Sequence, residues 1–155
     1  DLGIIAGCRV TDVVAEFYDG KMHPVDSKDI AFQVAGYFAF KESFLAALPC
    51  LLEPIYTVTV TVPEDYLGAI MGDLSSRRGH ILGVEADGHF QSVRAHVPQR
   101  EINKYSTAVR ALTSGKGRHA EQFSHYAEMP RELEAKLLAE AKARRETEPN
   151  GKAAH

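Results

Sequence analysis

At 155 residues the chain has room for one or two small domains. Its 45% hydrophobic and 25% charged residues are ordinary for a globular protein, and a net charge of -3 gives no global basic field for nucleic acid, although a local patch is averaged away in that sum. No apolar run reaches the roughly 18 residues of a membrane span, no signal peptide leads the chain, and Cys8 and Cys50 stand far apart without metal-ligand spacing, so a reduced, cytoplasmic protein is expected.

The opening DLGIIAG lacks a Met and reads as mid-element, so a fragment is expected. CRVTDVVAEFY, residues 8 to 18, is rich in β-branched residues and predicts a strand ending at the Asp19-Gly20 turn. A short loop then carries Lys21, His23 and Lys28 around a Pro. Asp26 suits a helix cap, with Asp29 in the favourable first turn. Ile30, Val34 and Phe38 recur every four residues, and Phe40, Phe44 and Leu48 form a second row. Two rows make a broad apolar face, which predicts a well-buried helix ending before Pro49.

From Leu51 the pattern changes. In IYTVTVTV, residues 55 to 62, Tyr56, Val58, Val60 and Val62 alternate with threonines, as in a half-buried strand. Pro63, Glu64 and Asp65 open a helix carrying Leu67, Ile70, Met71 and Leu74, with Gly79 as its stop. HILGVEA and HFQSVRAHV flank Asp87-Gly88, a hairpin signal, with Leu82, Val84, Val93 and Ala95 expected on the inner face. Ile102, Tyr105, Val109 and Leu112 mark another helix, stopped near Gly115, and residues 118 to 126 a fourth strand. The order from Leu51 to Tyr126 is βαββαβ, a ferredoxin-like unit. After Pro130 the stripe of Leu133, Leu137, Leu138 and Ala141 predicts a final helix, and the polar tail from Thr147 is expected to be disordered.

Few motifs carry chemistry. TSGKGRH lacks the upstream Gly and following Ser or Thr of a phosphate-binding loop, so nucleotide binding is not expected and Gly115 and Gly117 read as a helix-to-strand turn. His23, Asp26 and Ser27 are the residue types of a hydrolase triad, but Asp26 and Ser27 have the ordinary role of starting a helix. The scattered histidines form no metal-binding pair at helical spacing. Arg77 and Arg78 sit at a helix end, where they either complement the dipole or contact phosphate. Lys21, His23 and Lys28 read locally as a solvated turn or an RNA contact.

Several stretches together resemble the C-terminal part of bacterial elongation factor G. They are DGKMHPVDSKDIAF, LLEPIYTVTVTVPEDYLGAIMGDLSSRRGHILGVE and ALTSGKGRHAEQFSHYAEMP, in order from about Gly7 to Leu138. The resemblance implies an α+β chain. Residues 1–50 would be the second half of a ribosomal protein S5-like domain IV, 51–130 a ferredoxin-like domain V, 131–146 a C-terminal helix and 147–155 a disordered tail. It places the DGxxHxVDS turn at the distal tip of domain IV, beside tRNA and mRNA in the decoding region. Lys21, His23 and Lys28 would then meet RNA, and Arg77 and Arg78 would be candidate ribosomal RNA contacts in domain V. The implied function is to promote translocation in protein synthesis as a monomeric, cytoplasmic ribosome-binding protein, with no membrane or DNA partner. The chain itself would have no catalytic residue, cofactor or metal, GTP and Mg belonging to a missing GTPase domain.

The sequence departs from the family pattern in three places. Lys28 stands for the second Ser of VDSS, Gln99-Arg100-Glu101-Ile102 alters VPLAEM, and AGCRV replaces AGYPV. These leave open a recycling or ribosomal protection paralogue. A reading from another class is a free-standing ferredoxin-like regulatory domain that binds a ligand or partner.

Overall fold

The computed structural model describes residues 4–25 and 27–147. They fall into two compact units, one of Leu52–Met129 and one formed by the chain before and after it.

The unit of Leu52–Met129 is a four-stranded antiparallel sheet with helices. Strands β1 (Leu52–Pro63), β2 (His80–Asp87), β3 (Phe90–Pro98) and β4 (Arg118–Glu128) are ordered β2-β3-β1-β4. Helix α2 (Leu67–Ser76) follows β1 through a short 3-10 turn, and α3 (Tyr105–Leu112) precedes β4. This is the ferredoxin-like βαββαβ arrangement. The alternation in β1 does what it predicts: Val58, Val60 and Val62 are fully buried and pair in register with Ala95, Val93 and Gln91 of β3. Ile70 and Leu74 of α2 and Tyr105 and Val109 of α3 close the core over them. Each such aliphatic side chain contributes about 1.5–3 kcal/mol by leaving water.

The inner face of the β2-β3 hairpin differs from expectation. Val93 and Ala95 are buried, but Leu82 is 48% and Val84 40% exposed. The register shifts between Ile81 and Gly83, so Ile81 faces Ala95 and packs on the core instead of Leu82. One inserted residue reverses the facing of a strand. Val84 still pairs with Val93, but on an edge strand it is covered from one side only. In α3 the last buried residue is Val109; Leu112 is exposed, and burial resumes at the C-cap residue Thr113.

Both helix ends in this unit turn through left-handed residues. After α2 the amide of Gly79 donates to the Leu74 carbonyl at 2.8 Å and that of Arg78 to Ser75 at 3.2 Å, with Arg78 at φ 59. This is the Schellman closure, made here with an arginine at the position where glycine is usual. A Cβ on Gly79 would lie 2.5 Å from the Leu74 carbonyl oxygen, so the next position admits no side chain. After α3, the Thr113 hydroxyl donates to the Val109 carbonyl and accepts from the Gly117 amide at 2.8 Å. A Cβ on Gly117 would lie 2.7 Å from that hydroxyl, so the TSGKG segment is a tight helix-to-strand turn.

The other unit contains helices α1 (Asp29–Ala46) and α4 (Arg131–Thr147). Two expectations fail here. Residues 8 to 18 form no strand: they run without ladder pairing, and Val14, Phe17 and Tyr18 are exposed. Helix α1 has no buried residue, and Ile30 and Phe38 are 64% and 60% exposed. The two failures have one cause, since a helical face is buried only against another surface and the preceding segment provides no sheet. Phe17 does reach the helix, close beside Gly36. The Leu51 amide donates to Glu134 of α4 at 2.9 Å. The tail expected to be disordered lies outside the described residues beyond Thr147, which ends α4.

Candidate nucleic-acid interface

The basic turn runs through residues 18–25 and 27–28. Asp19 accepts a hydrogen bond from the Gly20 amide at 2.8 Å, which fixes the first bend. His23 and Ser27 then close the loop reciprocally. The His23 amide donates to Ser27 Oγ at 2.6 Å, and the Ser27 amide donates to the His23 carbonyl at 3.2 Å. The Ser27 hydroxyl therefore binds backbone, not the imidazole, and makes no nucleophile-base pair. The Val25 amide donates to His23 Nδ1 over a long 3.4 Å. Asp26, expected to cap α1, lies outside the described residues.

Lys28 occupies the N-cap of α1 instead, with extended backbone and no side-chain cap bond. The amides of Ala31 and Phe32 turn to its carbonyl. A lysine has no acceptor for the first free amides and places a cation at the positive end of the helix dipole. Asp29 in the first turn offsets part of that cost. Lys21, His23 and Lys28 are all exposed, so three donors share one solvent-facing turn.

Arg77 and Arg78 lie in the other unit and have internal partners. Arg77 donates from Nε to Asp73 at 2.8 Å and from Nη1 to the Glu101 carbonyl at 2.7 Å, and its guanidinium lies 4.9 Å from the centre of the buried Tyr105 ring. The bond to Asp73 raises its pKa, and burial raises that of the Tyr105 hydroxyl. Arg78 grips both oxygens of Glu53 on β1, a carboxylate only 4% exposed, and the bond raises the arginine's pKa. Sequence reading missed Glu53, because its partner is 25 residues away and only the sheet brings them together.

A histidine group also spans the sheet. His96 on β3 pairs in register with His80 on β2, and its ring lies 5.2 Å from that of His125 on β4. Ser124 Oγ is 2.9 Å from His125 Nδ1 and 3.4 Å from His96 Nε2. Burial, then His125 and His80, lower the His96 pKa from 6.5. Among the described residues no group of three or more His, Cys, Asp or Glu is placed to hold a metal ion, and no helix is long and apolar enough to cross a membrane.

The fold defines an α+β chain with a ferredoxin-like sheet unit, and its exposed basic turn lies in the other unit. Two family models match the chain: elongation factor G domain IV over residues 1–48, and the elongation factor G C-terminus over residues 50–137. The chain belongs to the elongation factor G family. It is 50% identical over 141 residues to elongation factor G of Aquifex pyrophilus, a match covering 91% of this chain and 20% of that protein. It is also similar to a crystal structure from Thermus thermophilus, with TM-score 0.80 and 42% identity, covering 92% of this chain and 22% of the other. The chain thus spans about a fifth of the length of the relatives it matches.

Proposed function

We propose that this chain is the ribosome-contacting portion of an elongation factor G-type GTPase, and that its turn at residues 18 to 28 enters the decoding region beside tRNA and mRNA to promote translocation. The observation that carries this reading is Lys28 at an N-cap. A cation there costs helix stability, and an anion at the tip would offset the cost. His23 and Lys21 add donors on the same turn, where phosphate contacts would set position and base contacts identity. Arg77 and Arg78 are further ribosomal RNA contact candidates, through the guanidinium hydrogens that Asp73, Glu101 and Glu53 leave unused.

In this reading the work of the chain is mechanical. The turn occupies space next to tRNA while a GTPase domain elsewhere in the longer protein binds GTP and Mg. The exposed rows of α1 would pack on the remainder of domain IV. The protein would act in the cytoplasm as a monomer, without membrane or DNA partners.

The test is His23→Ala and Lys21→Ala in the full-length factor. Translocation on the ribosome should slow while GTP binding and thermal stability stay as in the wild type. Unchanged translocation in the double variant would remove the turn from the mechanism. The present chain should show no saturable GTP binding in calorimetry, and micromolar binding would contradict the division of labour.

A further inference from the structure

A cavity of about 350 Å³ lies between α3 and the start of β4, lined by Ser106, Val109, Arg110, Gly117, Arg118 and His119. Arg77, Arg78 and Arg94 each sit on a carboxylate, of Asp73, Glu53 and Glu85. Among the described residues Arg100, Arg110 and Arg118 form no such ion pair, and the last two line this cavity. His119 Nε2 is buried and makes no hydrogen bond. Its ring stands edge-on to Tyr105 at 5.5 Å, which limits its rotation. The opposing feature is Glu121, whose carboxylate is 3.4 Å from that nitrogen and 45% exposed.

We propose that this cavity receives a phosphate group. Two guanidinium forks, a hydroxyl and an imidazole N–H supply more donors than a carboxylate can accept, and forked donors suit the oxygens of phosphate. A bound anion would offset the repulsion between two cations that line one cavity. Glu121 sets the affinity by competing for His119. The same chemistry serves an RNA backbone phosphate or a free phosphate ion. The site goes beyond the ribosome-binding reading and rests on it only for the RNA source.

The test titrates the 155-residue chain with inorganic phosphate and, separately, with an oligouridylate at constant ionic strength. The amide resonances of Gly117 and His119 report binding. Saturable shifts at both amides are expected. Arg110→Gln and Arg118→Gln should each weaken binding by about fivefold or more, and Glu121→Gln should tighten it. Arg94→Gln, on an arginine outside the cavity, should change neither titration. Saturation by the oligouridylate assigns the site to RNA backbone, and saturation by inorganic phosphate alone to a free ion. No saturation by either probe, or equal affinity in the Arg110 and Arg118 variants, overturns the proposal. Co-sedimentation with ribosomes separates the two readings. Loss of a phosphate titration with ribosome binding retained removes only this site. A phosphate titration in a chain that never binds ribosomes removes only the translocation reading.

Discussion

Helices α1 and α2 are both rich in apolar residues, yet they end in opposite states. Ile70 and Leu74 of α2 are fully buried, while Ile30 and Phe38 of α1 stay mostly in water. The difference lies in what each helix is given to cover. Helix α2 packs on β2 and β3, whose own alternation presents Val93, Ala95 and Val97. Helix α1 follows a segment that forms no ladder. Periodicity thus specifies that a helix has an apolar face, and pairing elsewhere in the chain decides whether that face is buried.

Substitution breaks this comparison most directly. Leu74→Ala should cost the Leu52–Met129 unit about 2–5 kcal/mol, since it leaves a cavity in a fully packed core. Phe38→Ala in α1 should stay within about 0.5 kcal/mol, as for an exposed position. Urea denaturation of both variants is the measurement. Equal losses would mean that α1 is packed in solution and that the contrast is wrong.

The Arg78–Glu53 pair gives a smaller effect. Removing the guanidinium in Arg78→Ala leaves a nearly buried carboxylate alone. The cost should be about 2 kcal/mol, less than for a fully buried pair because Arg78 is one-third exposed. Arg78→Gly should cost about 1 kcal/mol less than Arg78→Ala, since glycine accepts the left-handed backbone at that position without strain. Equal melting temperatures for the two variants would show that the backbone there relaxes.

His96 makes the stability of the sheet unit depend on pH. Its folded pKa lies below the unfolded value of 6.5. Above 6.5 the ring is neutral in both states and its contribution is fully present. As pH falls below 6.5 the unfolded chain takes up the proton first, and stability declines until pH passes the folded pKa. Denaturation midpoints between pH 7.5 and pH 5 should therefore fall more in the wild type than in His96→Gln. Parallel profiles would assign the slope to other groups.

The legible parts of this molecule are those whose causes are local. Tyr56 to Val62 announced a half-buried strand, Asp87-Gly88 a hairpin, and Gly79 and Gly115 two helix ends. What stayed hidden depends on register or on distance along the chain. A bulge at Leu82 exchanged it for Ile81, and no spacing rule marks where a bulge falls. The segment from Cys8 to Tyr18 has strand composition but no partner, and β propensity reflects fit to a paired surface more than backbone preference. At the candidate site, the sequence singled out the turn with Lys21, His23 and Lys28. It could not show that Ser27 holds His23 by its backbone, that Glu53 occupies Arg78, or that Arg110, Arg118 and His119 share a cavity.

The smallest expected effect bears most closely on function. Lys28→Ser places at the N-cap of α1 a side chain able to accept a free amide, and it removes a cation from the positive end of the dipole. The gain should be about 0.5–1 kcal/mol, read as higher helicity of α1 and a raised melting temperature in the full-length factor. If Lys28 meets a phosphate on the ribosome, the same change should weaken ribosome binding and reduce its salt slope by about one ionic contact. The opposite signs are the test, because a lysine kept only as solvated surface would lose nothing on replacement by serine. A more stable factor with an unchanged salt slope would show that the tip does not use this charge. A less stable one would show that the helix start is organised by something other than its N-cap.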